Sequence, residues 1–161
     1  MYTTAHNGEQ LVARQKDLLD NATPSANSTT ASALYRLAAL TGDARYANHA
    51  DRIMQLLDKT MRTTPSAAGQ ALSALHLRHT GVIEVVIPGR ADDESTQKYL
   101  DVLRETWRPN VVVAWGEADN SPLWASRTPG NAYVCERNVC MAPVQTPDDL
   151  RRTLDAIVAK N

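Results

Sequence analysis

Between Ser28 and Gly42 the chain reads STTASALYRLAALTG, and its apolar residues recur three and four apart: Ala31, Leu34 and Ala38 on one stripe, with Leu37 beside them. That interval predicts an amphipathic helix. Gly42 supplies the left-handed residue that commonly ends one. Asp43 stands where it can cap a second helix, which carries Tyr46, Ala50, Ile53, Met54, Leu57 and Met61 at the same intervals. A third helix starts at Pro65, where a missing amide costs nothing in the first turn. It presents Ala68, Ala71, Leu72 and Leu75 and is stopped by Gly81. Short connections make such neighbours antiparallel.

Near Thr80 and Gly81 the pattern changes. VIEVVIPG reads as a strand from Val82 to Ile87 and NVVVAWG as another from Val111 to Trp115, with a helical stripe of Tyr99, Leu100, Leu103 and Trp107 between them. Strand, helix, strand in this order predicts a βαβ unit and a parallel sheet. NAYVC adds a third short strand. TPDDLRRTLDAIV then has the marks of a last helix: Thr146 as cap, Pro147 in the first position, Asp149 in the third, and Leu150, Leu154, Ile157 and Val158 facing inward. The expected fold class is α/β, or α+β overall: antiparallel helices over residues 1–81, then a small, mostly parallel α/β sheet unit over residues 82–161.

Composition narrows the function classes. At 161 residues the chain can bury roughly 70% of its unfolded surface. A formal net charge of -1 leaves no electrostatic footprint for nucleic acid or an anionic membrane. No run approaches the roughly 20 apolar residues of a spanning helix, and MYTTAHNGEQ lacks the features of a signal peptide, so the expectation is a soluble, cytoplasmic protein. Two cysteines cannot form the framework of a disulfide-rich secreted scaffold. Phenylalanine is absent, which leaves Leu, Ile, Val, Ala and a few Tyr and Trp to fill the interior.

Few positions invite chemistry. DNATPSANS, residues 20–28, is polar throughout and immediately precedes a helix. Ser25, Asn27 and Ser28 can accept hydrogen bonds from free backbone amides, so capping explains part of the run but not the clustering of Asp20, Asn21, Thr23, Ser25 and Asn27. Cys135 and Cys140 lie at a strand end and the turn after it. They do not form the C-x-x-C of redox motifs; buried thiols are the plainer account, and a disulfide closes if the segment folds back. His76 and His79 with the two cysteines number four zinc-type ligands, but without the tight spacing of a zinc site, so no metal or cofactor is expected. IPGRADDES follows a strand and precedes a helix, yet it lacks both phosphate-loop patterns and its acids would repel an anion. Trp107 and Trp115 fall on elements expected to face the core. Trp124, beside Pro122, is the one tryptophan left open.

QKDLLDNATPSANS, LYRLAALTGDARY and AYVCERNVCMAPVQTPDDL together resemble the C-terminal part of the spermatogenesis-associated protein 20 family, thioredoxin-domain-containing proteins. Where that family commonly has PSGNS this chain has Ala26, and Arg137, Asn138 and Val139 replace an aromatic-bearing stretch between the cysteines. The resemblance implies a thioredoxin-like domain followed by an (α/α)6 toroid similar to N-acylglucosamine 2-epimerase and six-hairpin glycosidases. On that footing residues 1–81 are closing helices of the toroid, and the chain is a C-terminal fragment that needs further helices for any activity. The loop of Asp20, Asn21, Thr23, Ser25 and Asn27 becomes a wall for a sugar ligand, with Asp20 an acceptor or base that lacks the second carboxylate of glycoside chemistry. The rival readings are a non-catalytic interaction module for the thioredoxin-like domain and a thiol redox module using Cys135 and Cys140. Helix faces left bare would drive the chain into a homo-oligomer.

Overall fold

The computed structural model describes residues 2, 4, 5, 7, 8, 12–117, 121–137 and 139–158, the last of these by its backbone alone. The fold is mixed α/β. Two compact units divide it, Met1–Ala38 with Asp43–His79, and Ala39–Gly42 with Thr80–Asn161.

The first unit is helical: α1 (Ala26–Thr41), α2 (Ala44–Thr63), a 3-10 turn at Pro65–Ala67, and α3 (Gly69–Thr80). Asp43 caps α2 by accepting from the Arg45 amide at 2.9 Å. Helix α2 buries Ala50, Ile53, Met54 and Leu57 as its period predicts. Each large apolar side chain taken from water stabilises by about 1.5–3 kcal/mol. Tyr35 of α1 donates to Asp51 Oδ1 at 2.7 Å, and Arg78 of α3 donates to the same oxygen at 2.9 Å, so three helices share one carboxylate. The Arg78 hydrogen bond, followed by that from Tyr35, holds the Asp51 carboxyl below its ordinary range against the effect of burial.

Two faces differ from expectation. In α3 the buried residues are Ala71, Ala74 and Leu77, while Leu72 and Leu75 remain 37% and 43% exposed. In α1, Ala31 and Tyr35 are buried and Leu37 is exposed. In each helix one large residue, Tyr35 or Leu77, is buried together with alanines, while Leu37, Leu72 and Leu75 stay exposed.

The second unit is built around a sheet of four strands in the order β2-β1-β3-β4. The elements are β1 (Ile83–Pro88), α4 (Glu94–Glu105), β2 (Val111–Gly116), a 3-10 turn at Pro122–Trp124, β3 (Tyr133–Glu136), β4 (Val139–Cys140) and α5 (Pro147–Val158). Strands β1 and β2 pair in parallel across the α4 crossover, as the βαβ pattern predicts. Strand β3 lies antiparallel to β1, and β4 antiparallel to β3. The sheet therefore has a single parallel pairing and is not mostly parallel. A parallel return needs a crossover, usually a helix, and the described chain between β2 and β3 contains only the 3-10 turn. Strand β4 follows β3 after two residues, which permits only a hairpin.

Side chains alternate between the faces of each strand. Ile83, Val85 and Ile87 of β1 and Val134 of β3 pack with Tyr99, Leu100 and Val102 of α4 and Leu150, Leu154 and Ile157 of α5. Glu84 and Val86 of β1, with their partners Cys135 and Tyr133 of β3, belong to the other face. Gly89 follows β1 where a Cβ would collide with Thr96 Oγ1, so the turn into α4 requires glycine. Trp107 lies beyond the end of α4 and is 86% exposed, and Trp115 is 46% exposed on edge strand β2; neither packs in the core as expected. At α5, Thr146 Oγ1 accepts from the Asp149 amide at 3.1 Å and donates to the Asp149 carboxylate at 2.6 Å, a reciprocal capping pair. Replacing Thr146 by Ala should cost about 1 kcal/mol in denaturant unfolding; a loss below a few tenths would show that this pair does not anchor the helix.

Candidate functional site

The polar run before α1 is a lock between two helix starts. Asp20 Oδ1 accepts from the Ser25 amide at 2.7 Å, Oδ2 accepts from the Ala71 amide at 3.0 Å, and the Asp20 amide donates to Ala67 O at 2.8 Å. Ser25 Oγ accepts from the Ser28 amide at 3.1 Å and pairs with Ser28 Oγ at 2.8 Å. Asn27 Nδ2 donates to Asp17 O at 2.6 Å, and the Ala26 amide donates to Asp17 Oδ2 at 3.3 Å. Ser25, Asn27 and Ser28 are fully buried, whereas Asn21 and Thr23 are exposed. The structure thus joins Asp20, Ser25 and Asn27 to Asp17, Ser28 and Ala71, and leaves Asn21 and Thr23 at the surface. Helix starts expose unpaired amides, and these side chains serve them.

Burial pushes the Asp20 carboxyl up, but the Ser25 and Ala71 amides and the Ser28 and Ser25 hydroxyls outweigh it and hold the group below its ordinary range. Its stabilising contribution is then fully present above about pH 4, near the unfolded value, and is lost as pH falls through the lower folded one. Asp20→Ala should cost about 2–4 kcal/mol, from two hydrogen bonds to a charged acceptor, and should remove that part of the acid dependence. An acid unfolding limb identical to the parent's would refute the lock.

A second grouping lies on the face of the sheet turned away from α4 and α5. Cys135 and Cys140 are opposite one another across the β3–β4 hairpin, with Cα atoms 3.9 Å apart, and are joined as a disulfide. The expected buried thiols give way to a bond because β4 returns antiparallel to β3 with Cys140 opposite Cys135, Arg137 adopting φ 52 just past the end of β3. Cys135 is fully buried; Cys140 is exposed. Arg127 Nη2 donates to Cys140 Sγ at 2.8 Å and to Cys135 Sγ at 3.5 Å, while its Nε donates to Leu123 O at 3.2 Å. The guanidinium also stacks 4.5 Å from the centroid of the Tyr133 ring. Tyr133 Oη in turn accepts from the Thr128 amide at 3.0 Å. The Thr128 hydroxyl above all, with its amide and the Arg127 charge, keeps the Tyr133 phenol below its ordinary range despite burial.

Glu84 completes this face. In β1 it is the register partner of Cys135 on one side and of Val112 on the other. It is 4% exposed, and Oε2 has no hydrogen-bond partner among the described residues. Burial pushes its carboxyl up to about 7; its own amide opposes this and the Glu136 charge adds to it. A buried carboxylate without a cationic partner is costly, so the proton is retained to near neutrality.

Sequence reasoning singled out the cysteines but not Glu84, Arg127 or Tyr133. Glu84 was detectable as the lone charge within VIEVVIP; Arg127 and Tyr133 carry no local signal. His76 and His79 are exposed, and no cluster of three or more metal-type ligands occurs among the described residues.

No family model matches the chain, and no solved structure matches it. Spermatogenesis-associated protein 20 from Homo sapiens is 29% identical over 158 residues, which cover 91% of this chain and 20% of that protein. The rat (Rattus norvegicus) and mouse (Mus musculus) proteins of the same name are 28% and 27% identical over the same shares. The chain spans about a fifth of the length of these curated relatives. Across 91% of its length, the chain is homologous to spermatogenesis-associated protein 20, as a C-terminal region of that family would be.

Proposed function

We propose that the chain is the C-terminal part of a larger thioredoxin-domain-containing protein and that its α/β unit carries a thiol–disulfide site at Cys135 and Cys140. The observation that carries this reading is the Arg127 guanidinium set against both sulfurs, closer to the exposed one. A thiolate is the nucleophile and the leaving group of disulfide exchange, and a neighbouring arginine lowers the cost of forming it. In the reducing compartment that the composition suggests, a disulfide is usually transient and catalytic or sensing. The thioredoxin-like domain of the parent protein is the dithiol partner this chemistry would suit.

A second role is docking. Leu37, Leu56, Leu72 and Leu75 are exposed on the helical unit, and the relatives are about five times as long as the aligned stretch, which covers 20% of them. These faces suit further helices of the parent, in a toroid or otherwise, or a second copy of this chain. The polar loop gives little support to a sugar ligand, because Asp20, Ser25 and Asn27 are spent on backbone groups.

Thiol counting under native conditions tests the first reading. Air-equilibrated protein should show no free thiol. A small dithiol reductant should release two without unfolding the protein, and Cys140 should alkylate about tenfold faster than buried Cys135. Arg127→Gln should raise the pH at which Cys140 becomes reactive by about one unit. Thiols that appear only on denaturation would end the proposal.

A further inference from the structure

Opening the Cys135–Cys140 bond sets a problem that the exposed sulfur does not share. When an incoming thiolate attacks Cys140, the sulfur that leaves is Cys135, and it leaves into a fully buried environment. A charge there is disfavoured unless it keeps a cation or takes a proton. Arg127 is 3.5 Å from Cys135 Sγ and 2.8 Å from Cys140 Sγ, and the same nitrogen faces both. In the mixed disulfide Cys135 is the one sulfur that carries charge, and Arg127 faces it; once Cys140 is released as well, one guanidinium faces two sulfurs, and the buried one needs a proton.

Glu84 is placed to provide one. It is paired directly opposite Cys135 in the β1–β3 ladder, where side chains share a face and their Cβ atoms lie about 4.5–5.5 Å apart. It is 4% exposed, and an oxygen of its carboxyl is without a partner among the described residues. We propose that Glu84 is the acid–base partner of Cys135, protonating its sulfur as the disulfide opens and taking the proton back as it closes.

The step balances as follows. A partner dithiol ionises one thiol to solvent. That thiolate attacks Cys140 Sγ, a mixed disulfide forms, and the electron pair of the Cys135–Cys140 bond passes to Cys135 Sγ, which takes the Glu84 proton. The partner's second thiol, also ionised, displaces Cys140 as a thiolate beside Arg127. The partner dithiol has lost two electrons and becomes a disulfide; Cys135 and Cys140 have gained them. Glu84 then regains a proton from solvent.

The surroundings decide when Glu84 holds that proton. Val112 of β2 flanks it on one side, and Cys135 with Tyr133 on the other. Glu136 adds a like charge that favours the protonated form. The 3-10 turn packed on β1, Pro122–Trp124, brings no ionisable group, and Arg127 beyond it is engaged with the sulfurs. The carboxyl is thus the acid at neutral pH that this reaction requires.

This inference rests on the thiol–disulfide reading, and one experiment separates the two. The intact chain and its Glu84→Gln and Glu84→Asp variants are reduced by dithiothreitol across about pH 5–9, and opening rates are expressed per reductant thiolate. For the parent chain the normalised rate should fall through an inflection near pH 7, where Glu84 loses its proton. Glu84→Gln should open at least about tenfold more slowly at pH 6 and show no inflection; Glu84→Asp should keep one. A parent profile without the inflection, or a glutamine variant that matches the parent, overturns the role of Glu84 while leaving the redox site intact. A bond that no dithiol opens in the folded parent overturns the reading beneath it.

Discussion

Strand β1 is buried along its whole length, and this constraint governs the second unit. One face of the strand meets α4 and α5 with three branched aliphatic residues. Its other face must also exclude water, and there the sequence places a carboxyl between a valine and a cysteine. An ionised Glu84 would forfeit hydration with no cation beside it among the described residues; a neutral one loses far less. The sheet therefore imposes on Glu84 a protonation state that the surface would not, and does so next to a sulfur.

The parts of the fold that were legible before the structure are those written in periodicity. Helix α2 has a wide apolar stripe and buries it. The cap and inward leucines of α5 follow from Thr146, Pro147 and Asp149 and from Leu150 and Leu154. The βαβ crossover follows from strand, helix and strand. What was illegible depends on partners distant in sequence. Trp107 has helical spacing from Leu103, yet α4 ends at Glu105 and the indole is left outside. The antiparallel return of β3 depends on the lack of a second crossover helix, which the spacing of NAYVC does not announce. In α3, alanine and leucine alternate closely enough that either face could be buried, and packing chose the face of Ala71, Ala74 and Leu77.

The candidate sites show the same division. Asp20, Ser25 and Asn27 stand out as a polar cluster, and the structure explains the cluster by amides that need acceptors at two helix starts, one of them contributed by Ala71. Nothing local to residues 20–28 could reveal Ala71 as the other partner. Cys135 and Cys140 were visible as a pair, but their chemistry depends on Arg127 and Glu84, brought in from before β3 and from β1. Residue type finds the reacting atoms; topology supplies what tunes them.

Whether that tuning matters depends on what else the disulfide could be for. Its cysteines are separated by 5 positions, so in the chain-entropy account the bond stabilises by about 2 kcal/mol, near the low end for disulfides. The hairpin it closes is already in register with β1, and Tyr133 and Arg127 hold one another at its base. A brace adds little there. A buried acid with one carboxyl oxygen unpaired among the described residues carries a stability cost, and such costs are retained where reactivity requires them. The same 2 kcal/mol that makes the bond a weak brace makes it easy to open, because folding forfeits little when the strand pair survives without it.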